Sequence, residues 1–338
     1  MNVNRPYDVI TFGRSSIDLY SNDLGAAFED ITAFGAFVGG SSTNIAVGSC
    51  RLGLKTALLT AVGEDKVGSF ICRFLEKEGI DTTYIPTIAG TRSSAVVLGI
   101  EPPDRFPLVF YRDNAADLQL NIDHVKSVPL DQFKVLVLSG NALSKNPSQT
   151  ATFYAAEEAL QKGTRVFLDL DFRADQWFDT RAYGVMVRAL LPKVEIAIGT
   201  EEEILAASLQ DSSQITIKDQ QVSAPEISGD IDTAIQKILD LGVKVLIVKR
   251  GADGASIFEQ GKAEMKVPGF PVEILNILGA GDAFAAGFLY GCVQGWDLFK
   301  AVRMGNACGA ILVTQHGCAN FMPTQEEAMD FADDKGGL

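Results

Sequence analysis

Histidine is nearly missing from this chain: its 338 residues contain two, His124 and His316. They stand far apart in sequence, which excludes a His-rich metal centre or multi-histidine acid–base machinery and leaves carboxylates to carry proton chemistry. Basic clusters are missing as well. Lys and Arg number 29 against 43 Asp and Glu, a formal charge of −14, and no Lys/Arg run forms the stripe that a nucleic acid or an anionic membrane surface would need. The five cysteines (Cys50, Cys72, Cys292, Cys308, Cys318) are odd in number and never spaced as C-x-x-C, so free thiols in a reducing cytoplasm are expected rather than a disulfide framework or a zinc site. No apolar run approaches the ~20 residues of a membrane span. The amino-terminal MNVNRPYDVITFG lacks the charged and apolar regions of a secretory signal. The expectation is a cytoplasmic protein without nucleic-acid or membrane partners.

Three well-known catalytic signatures are also absent. A dinucleotide fingerprint would need glycine where Phe284 stands, after Gly279-Ala280-Gly281, and would normally follow the first strand. A phosphate loop of the G-x-x-x-x-G-K-[ST] type fails at Gly261-Lys262, which is followed by Ala263 and has Ser256 in place of the first glycine. No G-x-S-x-G nucleophile elbow occurs.

What is present is a regular alternation. Short apolar runs at Asp8–Phe12, Thr56–Ala61, Val135–Leu138, Arg165–Leu168, Val194–Ile198 and Val243–Val248 read as buried strands. Helical patterns lie between them at Asn44–Leu52, Gly68–Lys77, Pro147–Gln161, Arg181–Leu191, Glu201–Leu209 and Thr233–Leu241. Strand alternating with helix predicts the α/β class, with a mostly parallel sheet covered on both faces. Two stretches break the rhythm, Ile17–Val38 and Thr91–Tyr111, and their alternating, β-branched segments predict extra strands forming a small flap. Ser256–Phe258 and Met265–Val267 predict a hairpin. Gln210–Asp230, polar and punctuated by Ser, Pro and Gly, predicts an exposed insertion.

Chemistry concentrates at two glycine-rich segments. In Asn276-Ile-Leu-Gly279-Ala280-Gly281-Asp282-Ala283-Phe284-Ala285-Ala286-Gly287, a tight turn opens a helix of small residues, so unpaired amides and the positive end of the helix dipole face one point. That arrangement suits an anion, and Asp282 in the first turn is placed to accept the proton of a hydroxyl attacking a bound phosphoryl group. The plainer alternative is a helix-capping Asp. The earlier segment, Gly39-Gly40-Ser41-Ser42-Thr43-Asn44-Ile45-Ala46, permits close backbone approach to a ligand, with Asn44 offering a donor and an acceptor and Asp18 a carboxylate suited to a diol.

Together with Val62-Gly63-Glu64-Asp65-Lys66-Val67-Gly68, these segments resemble the two signatures of the ribokinase-like (PfkB) sugar kinases, in the right order and separation and over nearly the whole chain. The resemblance implies a three-layer α/β/α sandwich acting as one kinase domain over residues 1–338, with a β-lid formed by about 17–38 and 91–111. It implies Asp282 as catalytic base, Gly279, Ala280 and Gly281 as the anion hole, and Asp18, Gly39, Gly40 and Asn44 around the sugar. Lys249, Gly251 and Gly254 in Lys249-Arg-Gly251-Ala-Asp-Gly254 would flank the ATP phosphates, and Asn306 with the Gly305–Gly317 stretch would wall the adenine side. Magnesium is implied with ATP, reached through water by Glu203 of Thr200-Glu201-Glu202-Glu203, where Thr replaces the family's Asn; the three Glu also suit a helix's first turn. Asn276 stands where many relatives carry an Asp that helps hold a monovalent cation, so dependence on such an ion is left open.

Two arginines bear on the acceptor. Arg112, ending Phe110-Tyr111-Arg112, and Arg173, in Leu168-Asp169-Leu-Asp171-Phe172-Arg173, could clamp one carboxylate, since a guanidinium is a planar, permanently charged fork. Each could equally pair with Asp113, Asp171 or Asp175. Both motifs resemble those of the family's sugar-acid kinases. With Gly13-Arg14-Ser-Ser-Ile-Asp18-Leu19-Tyr20, the likeness is greatest to the branch that phosphorylates 5-dehydro-2-deoxy-D-gluconate in myo-inositol catabolism. Kinases of 2-keto-3-deoxygluconate and fructokinase-like enzymes remain as alternatives, followed by a silent sugar-binding protein and a nicotinamide-dependent dehydrogenase. Exposed lid edges predict pairing with a second copy.

Overall fold

A computed structural model describes residues 5–102, 105–216 and 225–338. In chain order the elements are β1 (Tyr7–Phe12), β2 (Ser16–Ser21), β3 (Phe34–Gly39), α1 (Ser41–Arg51), β4 (Thr56–Leu59), β5 (Val62–Gly63), α2 (Lys66–Lys77), β6 (Thr87–Ile88), β7 (Ser94–Leu98), β8 (Leu108–Tyr111), α3 (Ile122–Lys126), β9 (Phe133–Ser139), α4 (Ser148–Gln161), β10 (Arg165–Asp169) and α5 (Thr180–Leu190). There follow β11 (Ile196–Thr200), α6 (Glu201–Ser208), β12 (Ile215–Thr216), β13 (Glu226–Ile227), α7 (Ile231–Asp240), β14 (Val245–Lys249), β15 (Ala255–Glu259), β16 (Met265–Val267), α8 (Ala280–Val293), α9 (Leu298–Leu312) and α10 (Gln325–Asp333).

The main sheet runs β16-β15-β14-β11-β10-β9-β1-β4. From β14 to β4 all pairings are parallel, and the expected hairpin β15–β16 closes one edge antiparallel. Side chains alternate between two cores, as the two-residue period of a strand requires. Ile10, Leu136, Leu168 and Leu246 face the layer of α3 to α7. Val9, Val135, Phe167 and Ile247 face α1, α8 and α9. The predicted α/β sandwich is what forms. The irregular stretches expected as a flap form a separate four-stranded sheet, β3-β2-β7-β8, although residues 103 and 104 within the second stretch lie outside the described residues. Of the insertion at 210–230, the flanks pair as β12 and β13, and residues 217–224 lie outside the described residues.

Element boundaries differ from expectation in an instructive way. The apolar runs stop one or two residues early at the carboxyl ends of β9, β10, β11 and β14, whose last residues are Ser139, Asp169, Thr200 and Lys249. Helix α1 begins at Ser41 rather than Asn44, because Gly40, at φ of 102°, turns the chain directly into the helix. No apolar stripe announced α9 or α10, and α9 is buried on nearly every side. All five cysteines are free. Among the described residues no helix is long and apolar enough to cross a membrane.

Candidate active site

Parallel strands bring their carboxyl ends to one edge, where open α/β sheets bind ligands. Here that edge collects Arg14 after β1, Ser139 from β9, Asp169, Asp171 and Arg173 from β10 and its following loop, Glu203 after β11, and Lys249 from β14. The cluster is buried and interlocked. Lys249 Nζ lies 3.7 Å from Asp169 Oδ2 and 3.7 Å from Glu203 Oε2. Burial works against the lysine's charge, but Asp169, Glu203 and Asp282 outweigh it and hold its pKa above the usual range. Burial raises the Asp169 carboxyl, with Glu203 and Asp171 adding to the effect against the pull of Lys249. Asp171 goes the other way. Burial alone would raise it, yet Arg173 at 2.9 Å and a 2.7 Å hydrogen bond from Ser139 Oγ bring it below the usual value. Its backbone φ is +35°, a strained conformation for a residue other than glycine, kept by those two contacts.

The early glycine segment meets this cluster. A Cβ on Gly39 would fall 1.9 Å from the Asp18 carboxylate, and one on Gly40 would fall 2.4 Å from the Arg14 carbonyl, so the glycines let the small sheet and α1 close onto the end of β1. Asn44 Nδ2 donates a 2.7 Å hydrogen bond to Asp282 Oδ2, joining residues 238 apart in sequence, while its own Oδ1 is buried with no donor among the described residues. One cleft is lined by Arg14, Asp18, Asn44, Arg173, Gly279 and Asp282, with Val96, Leu98, Leu108 and Phe110 of the small sheet above.

At the start of α8, Gly279 is the N-cap in the left-handed region, at φ of 82°. The amides of Gly279, Gly281 and Asp282 have no partner among the described residues, whereas the Ala280 N–H donates to the Ile277 carbonyl at 3.2 Å. The free donors thus include Gly279 and Gly281 of the expected Gly279-Ala280-Gly281 set, with Asp282 in place of Ala280. A Cβ at Gly281 would meet Lys249 Nζ at 2.9 Å, so the lysine ammonium stands directly beside these amides. The helix dipole alone favours ionised Asp282, but burial, reinforced by Asp171, raises its pKa against the bond from Asn44. A carboxylate so placed can take a proton from a hydroxyl while amides and an ammonium hold an anion next to it.

The chain matches the model of the pfkB family carbohydrate kinases over residues 7–325. This protein belongs to the PfkB family of carbohydrate kinases. It is 34% identical to the 5-dehydro-2-deoxygluconokinase of Geobacillus thermodenitrificans over 97% of this chain and 93% of the other, and 34% identical to that of Clostridium tetani over 98% and 94%. Among solved structures it superposes on a protein from E. coli described as ribokinase II, bound to ATP and Mg2+, with TM-score 0.83, 23% identity and coverage of 97% and 99%. A Vibrio cholerae fructokinase gives TM-score 0.81 at 24% identity over 96% and 98%.

In this PfkB kinase several residues singled out from sequence turn out to be occupied elsewhere. The Arg112 fork is taken up by Asp117, at 3.0 Å from Nε and 2.5 Å from the second terminal nitrogen, and by Asn141. Its partner is thus Asp117, not Asp113, Asp171 or Asp175, and Arg112 does not line the cleft. Arg173 does line it, paired with Asp171 as one alternative foresaw. Glu203 serves as an anchor: it caps α6 by accepting from the Thr200 N–H at 2.8 Å and accepts from the Phe172 N–H at 3.2 Å. Asn306 spends its amide on the Val267 and Pro268 carbonyls, at 3.2 and 2.9 Å, pinning the end of β16. Gly254, at φ of 92°, packs its Cα face on the same segment, and Gly251, at φ of 57°, turns the chain after β14. Asn276 is 1% exposed and accepts from the Leu278 N–H at 3.0 Å, fixing the turn into α8.

Motif reading passes over Arg14 of the cleft, named only within a longer string, and Asp169, which ends β10 and faces Lys249. Neither histidine lines the cleft. His124 caps α3, and His316 packs edge-on against Tyr20 and Phe37.

The Asn44 contact yields a checkable expectation. A donor bonded to a carboxylate stabilises its charged form, so Asn44→Leu should raise the Asp282 pKa further and move the acid limb of the kcat–pH profile to higher pH. An unmoved acid limb would show that the bond does not act on the titrating group.

Proposed function

We propose that this kinase transfers the γ-phosphoryl group of ATP to the primary hydroxyl of 5-dehydro-2-deoxy-D-gluconate, as a single kinase unit with the four-stranded sheet as its lid. The observation that carries this reading is the 34% identity, over 97% of the chain, to a protein named 5-dehydro-2-deoxygluconokinase. It is supported by a cleft where buried guanidinium groups stand beside Asp18 and Asp282.

In this reading Asp18 and the free Oδ1 of Asn44 hold sugar hydroxyls, and Asp282 accepts the proton of the attacking hydroxyl. Asn44 fixes the rotamer of the base by holding one of its two oxygens. The amides of Gly279, Gly281 and Asp282, with Lys249, face the equatorial oxygens of the transferring group, where charge develops. The apolar lid residues Val96, Leu98, Leu108 and Phe110 exclude water that would otherwise be the acceptor. Among the described residues no cluster of three ligating side chains could cage a metal ion, which fits Mg2+, an ion commonly held by substrate phosphates and only one or two carboxylates. Asp169, with a buried Oδ2 that accepts no hydrogen bond among the described residues, and Glu203 are the carboxylates that would reach its waters. An Mg2+ ion held there would supply positive charge to offset the charge of the transferring phosphates.

The test is ADP release over a panel of 5-dehydro-2-deoxygluconate, 2-keto-3-deoxygluconate and fructose. The first should give the highest kcat/KM and fructose a value at least ~10-fold lower, because a site built around charged donors loses them unpaired with a neutral ligand. A preference for fructose would overturn the reading, and a preference for 2-keto-3-deoxygluconate would keep the class and change the substrate.

A further inference from the structure

We propose that Arg14, rather than Arg112, is the guanidinium that binds the acid group of the sugar, and that Arg112, held by Asp117 and Asn141, is structural. The inference rests on the reading of the acceptor as a sugar acid and assigns the residue that recognises it.

Three arginines converge near the cleft, and their surroundings differ. Arg112 is ion-paired to Asp117 and bonded to Asn141, and Arg173 is ion-paired to Asp171. Arg14 is 9% exposed, yet no carboxylate lies within ion-pair distance of it among the described residues. Its guanidinium donates one hydrogen bond, from a terminal nitrogen to Ser16 Oγ at 2.9 Å, and Ser16 in turn donates to Asp18 Oδ1 at 2.6 Å. The guanidinium plane lies 5.0 Å from the centre of the Phe110 ring, on the lid. A guanidinium has five N–H donors, so most of the fork is unused.

Burying a cation without a direct counter-ion is costly, and the arrangement makes sense when a ligand anion completes it. The position specifies which anion. Arg14 lines the cleft with Asp18, Asn44 and Asp282, whereas Lys249 and the Gly281 amide, on the phosphoryl side, do not line it. An acceptor whose terminal hydroxyl meets Asp282 has its remaining carbons in this same cleft, under Phe110. A planar carboxylate matches the free edge of the fork with two parallel hydrogen bonds. The Phe110 ring, with Arg14 Cζ over it at 5.0 Å, adds a cation–π contact that helps hold the guanidinium at the site.

The experiment compares the parent enzyme with Arg14→Gln, Arg14→Lys and Arg112→Gln, measuring kcat and KM for 5-dehydro-2-deoxygluconate and for fructose, with thermal melts for each variant. Arg14→Gln should raise KM for the acid on the order of 100-fold while changing that for fructose less than about threefold, because only the acid loses a charge-assisted pair. Arg14→Lys keeps the charge and the fold but not the fork, and should raise KM for the acid roughly tenfold. Arg112→Gln should lower the melting temperature and reduce activity on both substrates alike. Acid KM within twofold of the parent in Arg14→Lys, or equal losses on both substrates in Arg14→Gln, would overturn the assignment. These results stand apart from failure of the functional reading, which would already appear as a preference for fructose in the parent.

Discussion

Asp282→Asn is expected to turn over on the order of 10³-fold more slowly than the parent, within the range that removal of a general base produces, while nucleotide affinity is retained. The substitution keeps the size of the side chain but takes away the carboxylate that joins the two signature segments through its bond from Asn44. Its oxygen would still accept from Asn44 Nδ2, now at 2.7 Å from Asp282 Oδ2, so the local structure survives. The amides of Gly279 and Gly281 still present free N–H groups to the phosphates. In the parent, burial raises the Asp282 pKa, so activity should fall with decreasing pH at a higher pH than an ordinary aspartate, near ~3.9, would give. The acid limb should vanish from the residual activity of the Asn variant. Single-turnover phosphoryl transfer and ATP-induced melting shifts measure the two halves of the expectation. Retention of most of kcat would remove Asp282 from the base role, and loss of the ATP-induced shift would make it a nucleotide-binding residue instead.

Lys249→Met should damage both stability and catalysis. Lys249 is the cation between Asp169 and Glu203, 3.7 Å from each, and breaking a buried ion pair by removing one partner typically costs about 3–5 kcal/mol. The loss should depend on pH in a definite direction. Without the ammonium, the folded state favours protonated Asp169 even more, whereas the unfolded chain binds that proton only below the ordinary carboxylate range. Stability of the variant should then decline as pH rises from about 5 to 8, because the native state binds the extra proton throughout that interval. The parent shares this decline, because its own Asp169 is already pushed up to about 8; melting curves extended above pH 8 would show the gap to the parent widening as only the variant keeps the proton, and a constant gap there would mean that Asp169 is not the group affected. The same substitution withdraws a charge standing beside the Gly281 amide, and kcat should drop on the order of 100-fold.

Much of this architecture could be read from residues alone, and the parts that could not share a cause. Buried parallel strands declare themselves by apolar runs, and so all six were found, but the runs end where the strands turn polar. Ser139, Asp169, Thr200 and Lys249 are the last residues of their strands, and Asp169 and Lys249 face each other in the charged cluster at that edge. A criterion that rewards hydrophobicity clips the functional ends. Glycine motifs exposed both signature segments, because close approach leaves a compositional mark. Arginine partners left none. Arg112 meets Asp117, five residues on, rather than its immediate neighbour Asp113, and Arg14 remains unpaired because of how β1 sits between β9 and β4. Strand order is a property of the whole topology, and it decides which strand-end side chains become neighbours. Helix α9, enclosed on nearly every side, carries no stripe to betray it.

The Asn44–Asp282 contact has a consequence for how the protein is made. On the proposed assignment, the sugar-holding Asp18 and Asn44 come from the first strands and α1, while the base and the anion-binding amides are translated more than two hundred residues later. A ribosome-bound chain therefore carries Asp18 and Asn44 long before it holds Gly279 and Asp282, which line the same cleft. On that assignment the site is complete only once α8 has docked against α1 and Asn44 has met Asp282, so closing the active site is among the last steps of folding rather than the first.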